Sequence, residues 1–216
     1  GHIQELIERK VDYIFLPHFR DLETQGEGLP GNFCPITQTL PYYIEKAFPE
    51  IPKDRILQPV VSMMYGRKKS GEFFQKLAVE LGYSAEEGQA AFDVAVAKQD
   101  AYFAACEKLG EEALADARSR NEPVIAILGR PYNAFTQDAN MGIPRKFTSR
   151  GFTVIPFDII TAKDREIFPN MYWYYGQLDM KAAERLRDEK NIYVTWITNF
   201  SCAPDSFMLH YLKWIM

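Results

Sequence analysis

Apolar and polar positions alternate between two periods along this chain, and the changes of period mark its elements. Residues 3–10 follow helical spacing. Val11–Leu16, Val-Asp-Tyr-Ile-Phe-Leu, reads as a strand. Pro17–Asn32 reads as a long loop with Gly26, Gly28, Pro30 and Gly31, and Phe33-Cys34-Pro35 closes it. A helix follows over Thr39–Phe48. Ile56–Val61 is a second strand, weakened by Pro59. Ser70–Leu81 is helical and ends at Gly82. Ser84-Ala85-Glu86-Glu87 has the form of a capping box, and apolar residues from Ala91 to Ala113 keep rough helical spacing. The pattern predicts a long helix to about Arg118, bent or interrupted near Gly110.

Glu122-Pro123 ends that helix and a second strand–helix series begins. Val124–Leu128 is wholly apolar, as in a central parallel strand. The Gly129-Arg130-Pro131-Tyr132 turn follows, with a polar loop to Asn140 and a short helix over Pro144–Arg150. Phe152–Phe157 reads as a strand and 161–176 as an aromatic loop. Leu178–Lys190 reads as a helix, Ile192–Ile197 as a strand and Phe207–Ile215 as a helix. This alternation implies a parallel sheet with right-handed crossovers, hence an α/β fold. The divisions are 1–83 for an N-terminal α/β half, 84–120 for a linking helix and 121–216 for a C-terminal α/β half. The chain opens inside a helical pattern and stops without a cap, which reads as a segment of a longer protein with both halves truncated.

Composition narrows the class. The 216 residues are 47% hydrophobic with a net charge of −4. That allows a full core and gives no electrostatic case for nucleic acid. No apolar run reaches membrane-spanning length. Three cysteines are too few, and odd in number, for a disulfide framework. A reducing cytoplasm is the expected compartment.

Two of the cysteines share a local grammar. Cys34 and Cys202 each come after a strand and just before a proline-led helix, Pro35 and Pro204 following closely. In open α/β sheets the carboxyl rim of the strands is where ligands bind, and a helix amino end favours a thiolate. Both therefore read as candidate metal ligands. Cys106, among alanines on the long helix, reads as buried packing. Arg130 is open to two readings, an anion contact through its guanidinium and the loop amides or a salt-bridged turn residue. With Tyr132 and Asn140 it makes a candidate cofactor-binding loop. Asp205 reads as a helix N-terminal charge, and His2, His18 and His210 lack metal-ligand spacing.

Phe33-Cys34-Pro35, Gly129-Arg130-Pro131-Tyr132, Asn140-Met141-Gly142-Ile143-Pro144 and Asn199-Phe200-Ser201-Cys202-Ala203-Pro204-Asp205-Ser206-Phe207 occur in an order that resembles a known family. It is the (R)-2-hydroxyglutaryl-CoA dehydratase D-component-like family, in the variant found within large CoA-substrate-specific enzyme activases and related to double-cubane-cluster reductases. Val11–Pro17 is also similar to its segment ahead of the first of these cysteines. The resemblance spans most of the chain, with little from residues 66–120. It implies two flavodoxin-like (Rossmann-like) halves joined by the long helix, with an iron–sulfur cluster, 4Fe-4S or double-cubane, in the cleft between them. Cys34 and Cys202 match cluster-ligating cysteines. A further family cysteine precedes a segment whose end Gly1-His2-Ile3 resembles, and Ala203 stands where the family usually has glycine. The implied partners are an ATP-dependent activase domain or subunit and a CoA thioester or other small molecule, with a homo-oligomer as a further expectation. The implied role is low-potential electron transfer in anaerobic metabolism. The alternative is a non-catalytic docking or regulatory module of the activase without its own cluster.

Overall fold

A computed structural model describes residues 1–24, 30–160, 162, 170–199 and 201–216. The chain is an α/β protein whose contacts fall into two compact units. One holds Gly1–Glu23 and the described residues from Pro30 to Ala97; the other holds Thr24 and the described residues of Lys98–Met216.

In the first unit α1 (His2–Glu8) leads to β1 (Ile14–Phe15) and β2 (His18–Glu23), with β3 (Pro30–Asn32) running back against β2. Helix α2 (Pro35–Ala47) returns the chain to β4 (Ile56–Leu57) and β5 (Val60–Ser62), and α3 (Arg67–Glu80) closes the unit. β1 pairs with β4 and β2 with β5, both parallel. Pro17 and Pro59 divide what would otherwise be one ladder, since neither offers an N–H. Pairing carries across the gap, where Leu16 N–H donates to Leu57 at 2.8 Å and His18 N–H to Pro59 at 2.9 Å.

The predicted loop 17–32 is thus partly strand; its residues 25–29, with Gly26 and Gly28, lie outside the described residues. β2 escapes an apolar-pattern reading because its buried side chain is Asp21. That carboxylate accepts from Ser62 Oγ and from the Met63 and Met64 amides, each at 2.7 Å. A buried charge is tolerated when its lone pairs are filled in this way.

Helix α4 (Ala85–Arg120) begins in the first unit and ends in the second. Its capping box forms as predicted: Ser84 Oγ accepts from Glu87 N–H at 3.1 Å and Glu87 Oε2 from Ser84 N–H at 2.8 Å. No break occurs at Gly110. A Cβ there would lie 1.7 Å from the Ile159 carbonyl oxygen, so the glycine serves close approach and not a bend. None of the spacing-defined apolar positions is buried, and Val94, Tyr102 and Leu109 are exposed; the buried apolar side chains of α4 are Phe92, Leu114 and Ala117.

The second unit has β6 (Val124–Leu128), α5 (Pro131–Ala134), α6 (Ile143–Thr148), β7 (Thr153–Pro156), α7 (Tyr174–Leu186), β8 (Ile192–Trp196) and α8 (Ala203–Ile215). The sheet is wholly parallel in the order β7-β6-β8. Every β6 residue is buried because both faces are covered. Val124, Ala126 and Leu128 face a large core with Met180, Leu186, Met208 and Leu212, while Ile125 and Ile127 face a smaller one with Ala134 and Ile197. Of the predicted aromatic loop, 161 and 163–169 lie outside the described residues. Met171 is core, Trp173 and Tyr175 pack against it, and α7 already starts at Tyr174. At the amino end of the sheet, left-handed Asn121 and Asn191 join through their side-chain amides at 2.7 Å. Glu189 there pairs with both Arg118 and Arg185.

Candidate functional site

In the second unit β7 and β8 flank β6 on opposite sides, so the loops leaving β6 and β8 part at the carboxyl ends of the strands. That is the switch point of an open parallel sheet. Gly129 leaves β6 with φ +130°, and a Cβ on it would lie 2.2 Å from the Ile197 carbonyl oxygen, so only glycine lets the two loops approach this closely. Arg130 then crosses to the other loop. Its Nε donates to Asp205 Oδ1 at 2.9 Å, and Thr198 Oγ1 donates to Asp205 Oδ2 at 2.8 Å. Arg130 is 3% exposed and Asp205 fully buried. Of the two readings of Arg130, the salt-bridged one describes its Nε. Its Nη2 is buried with no partner among the described residues. Burial opposes the charge on Arg130, but Asp205 more than offsets that and raises its pKa.

Beneath this bar lies Asp179 of α7, fully buried. Its Oδ1 accepts from Gly129 N–H at 2.9 Å and its Oδ2 has no partner among the described residues. Burial above all, with Asp205 adding to it, pushes the Asp179 carboxyl up to about 8, so it is mostly protonated at neutral pH. Asp179 is not among the candidate residues that the sequence singles out. The one available signal was a helical aspartate with Tyr175 and Ala183 at i−4 and i+4 and no basic partner at either.

Cys202 is the N-cap residue of α8, with Pro204 in the first turn, and is half-buried. The expected thiolate preference is corrected here. Burial pushes its thiol pKa up, and the Asp205 carboxylate adds to that against the lowering pull of Asp205 N–H and Arg130. Phe200 of the same motif lies outside the described residues. Tyr132 sits half-exposed on α5. Asn140 is buried and its amide is spent inside its own loop, Nδ2 donating to the Ala134 carbonyl at 2.9 Å and Oδ1 accepting from Gly142 N–H at 2.8 Å.

Cys34, in the first unit, is likewise the N-cap residue of a proline-led helix, α2, and half-buried. The likeness to Cys202 stops there. The strand before it, β3, is antiparallel to β2, and Phe33 N–H donates to the Arg20 carbonyl at 2.9 Å. β3 therefore delivers Cys34 toward the amino end of β2, not to the carboxyl rim of the parallel pair. Further along α2, the Tyr42 hydroxyl meets His18 Nδ1 at 3.1 Å. Cys106 is half-buried on α4, not fully packed, and lies within hydrogen-bonding reach of Tyr102.

Thiols are the donors an iron–sulfur cluster takes, and a helix N-cap leaves room for a ligand, so Cys34 and Cys202 each fit one ligand position. Among the described residues no group of three or more His, Cys, Asp or Glu side chains is placed to hold a metal ion. About four donors are needed, so the described residues of neither unit by itself supply a full set.

The family model described as CoA enzyme activase uncharacterised domain (DUF2229) matches residues 1–160. The chain belongs to this family. The match supports the activase relation implied by the sequence motifs without reaching the narrower dehydratase D-component type. No curated protein and no solved structure matches the chain. Among the described residues of this activase-family chain, no helix is long and apolar enough to cross a membrane.

Proposed function

We propose that this activase-family chain contributes thiol ligands, Cys34 and Cys202, to an iron–sulfur cluster completed by further donors in the whole protein, in an ATP-driven low-potential electron transfer. The observation that carries the reading is Cys202. It stands at the switch point of a parallel sheet, at the head of α8, in a segment resembling the cluster-ligating segment of the dehydratase relatives. A bound cluster would supply one-electron chemistry at low potential. The chain's own residues do the rest. The Arg130–Asp205–Thr198 bonds fix the loop that presents Cys202, and Met208 of α8 packs with Met171 and Trp173 against Gly176 of α7. Arg130 also puts a positive charge near a sulfur that must lose its proton on ligation.

The second reading is a docking or regulatory module of the activase without a cluster of its own. It is favoured by the upward-shifted Cys202 thiol and by the absence, among the described residues, of any group of three or more metal-donor side chains. Iron and sulfide analysis of the complete protein, prepared without oxygen, separates the two. Cys202→Ala and Cys34→Ala are expected to lose iron and ATP-dependent electron uptake while circular dichroism stays unchanged, with Cys106→Ala as the neutral control. Full iron content and electron uptake in both variants would show that these cysteines ligate no cluster, and the module would then be the better account of this segment.

A further inference from the structure

We propose that the carboxyl ends of β6 and β8 form an oxyanion site, in which Arg130 holds the carboxylate or phosphate group of a small ligand beside Asp205. This site does not involve the cysteine thiols. Open α/β sheets bind ligands where the strand order reverses, and β6 and β8 border that point here.

The chain places a guanidinium there, removes it from water and leaves it incompletely paired. Arginine offers five N–H donors in a planar fork that matches the oxygens of an oxyanion. Nε is spent on Asp205 Oδ1. The second oxygen of Asp205 is taken by Thr198, so the resident carboxylate does not close the fork, and Nη2 is left buried and unpartnered among the described residues. Trp196, the last residue of β8 and the register partner of Leu128, has its indole N–H in the same condition.

Both of these orphaned groups are donors, and the orphaned Asp179 Oδ2 belongs to a carboxyl that burial keeps mostly protonated at neutral pH, so it brings no negative charge to the site. What is missing beside Arg130 is an acceptor, which selects an oxyanion over a cation. Asp205 is then the internal carboxylate that balances Arg130 when the ligand is away and competes with it when the ligand is near. The guanidinium already lies against the first turn of α8, a 13-residue helix with no side-chain cap, so the dipole there acts with it.

The test is a titration of the isotopically labelled full chain with sodium phosphate and, separately, sodium acetate, against sodium chloride at matched ionic strength. Amide and arginine side-chain shifts are read by nuclear magnetic resonance. Saturable shifts at Gly129, Arg130 and Ala203 are expected. Saturation by phosphate alone identifies a phosphate-bearing ligand, and saturation by acetate alone a carboxylate. Asp205→Asn removes the competing charge while keeping the side-chain shape, and is expected to tighten binding by roughly tenfold. Arg130→Gln is expected to abolish it. The proposal is overturned if folded wild-type protein shows no saturable shift with either anion, or if folded Arg130→Gln shows the same shifts as the wild type. The wild-type titration decides even where a variant fails to fold. Neither result depends on bound iron, so failure here leaves the cluster reading where it stands.

Discussion

Asp179 and Asp205 carry the same side chain at similar depth, yet their surroundings differ. Asp205 has Arg130 and Thr198 on its two oxygens, whereas Asp179 has a single backbone donor. The Asp179 pKa rises on folding from 3.8 to about 8. Between those values the unfolded chain has lost a proton that the folded chain retains, so stability falls as pH rises, and it levels off above about 8. Asp179→Asn keeps an acceptor for Gly129 N–H and cannot ionise. Its melting temperature relative to the wild type is therefore expected to climb from pH 4 to pH 8 and then flatten. A difference that does not change with pH would show that the Asp179 carboxyl titrates normally. Arg130 offers the opposite case. Arg130→Met leaves Asp205 buried without its cation, and loses about 3–5 kcal/mol in urea unfolding, in the range for breaking a buried pair from one side. Asp179 left almost no trace in the sequence, because an unpaired aspartate on a helix looks the same whether it faces water or the core. Asp205 was legible as a helix N-terminal charge, and Arg130 only as a residue with two possible partners. The missing information was which loop each one faces.

At the scale of elements, the parts that follow a single rule were read correctly. The wholly apolar Val124–Leu128 is β6 residue for residue, and the Ser84 capping box opens α4. Two kinds of element were misread. β2 buries an aspartate in place of an apolar side chain, so alternation could not reveal it, and its pairing with Val60–Ser62 is a long-range fact. Cys34 and Cys202 share strand, cysteine and proline in sequence, but strand direction is set by pairing, and β3 runs antiparallel where β8 runs parallel. Gly110 tests the same distinction within a helix. If it were a flexible break, Gly110→Ala would stabilise α4 by about 1 kcal/mol from helix propensity. The Ile159 carbonyl occupies the space a Cβ needs, so a net loss of about 1–3 kcal/mol is expected instead. Thermal unfolding of that one variant gives the sign. Ser84→Ala, by comparison, costs about 1 kcal/mol through its lost cap.

At the scale of the molecule, the two units are unequally cored. Both clusters of buried apolar side chains among the described residues belong to the second unit. In the first, the buried apolar residues are Ile14, Ile51, Val61 and Phe92, and much of the interior bonding passes through Asp21, Ser62 and Ser70. Hydrophobic burial is the main source of stability, so the first unit should open at lower free energy. In native-state hydrogen exchange, amides of β6, β8 and α7 are expected to be protected most, and those of β2 and β5 to exchange sooner. Equal protection in β2 and β6 would refute the inequality. The difference bears on function, because a ligand that binds only folded protein stabilises the part it engages by mass action. If Cys34 ligates a cluster, anaerobic loading of the complete protein with iron and sulfide should slow exchange in β2 and β5. Cys34→Ala should remove that effect and leave the unloaded protein's pattern unchanged. In the docking-module reading, loading alters neither unit, and the exchange pattern of β2 and β5 with and without iron is the same.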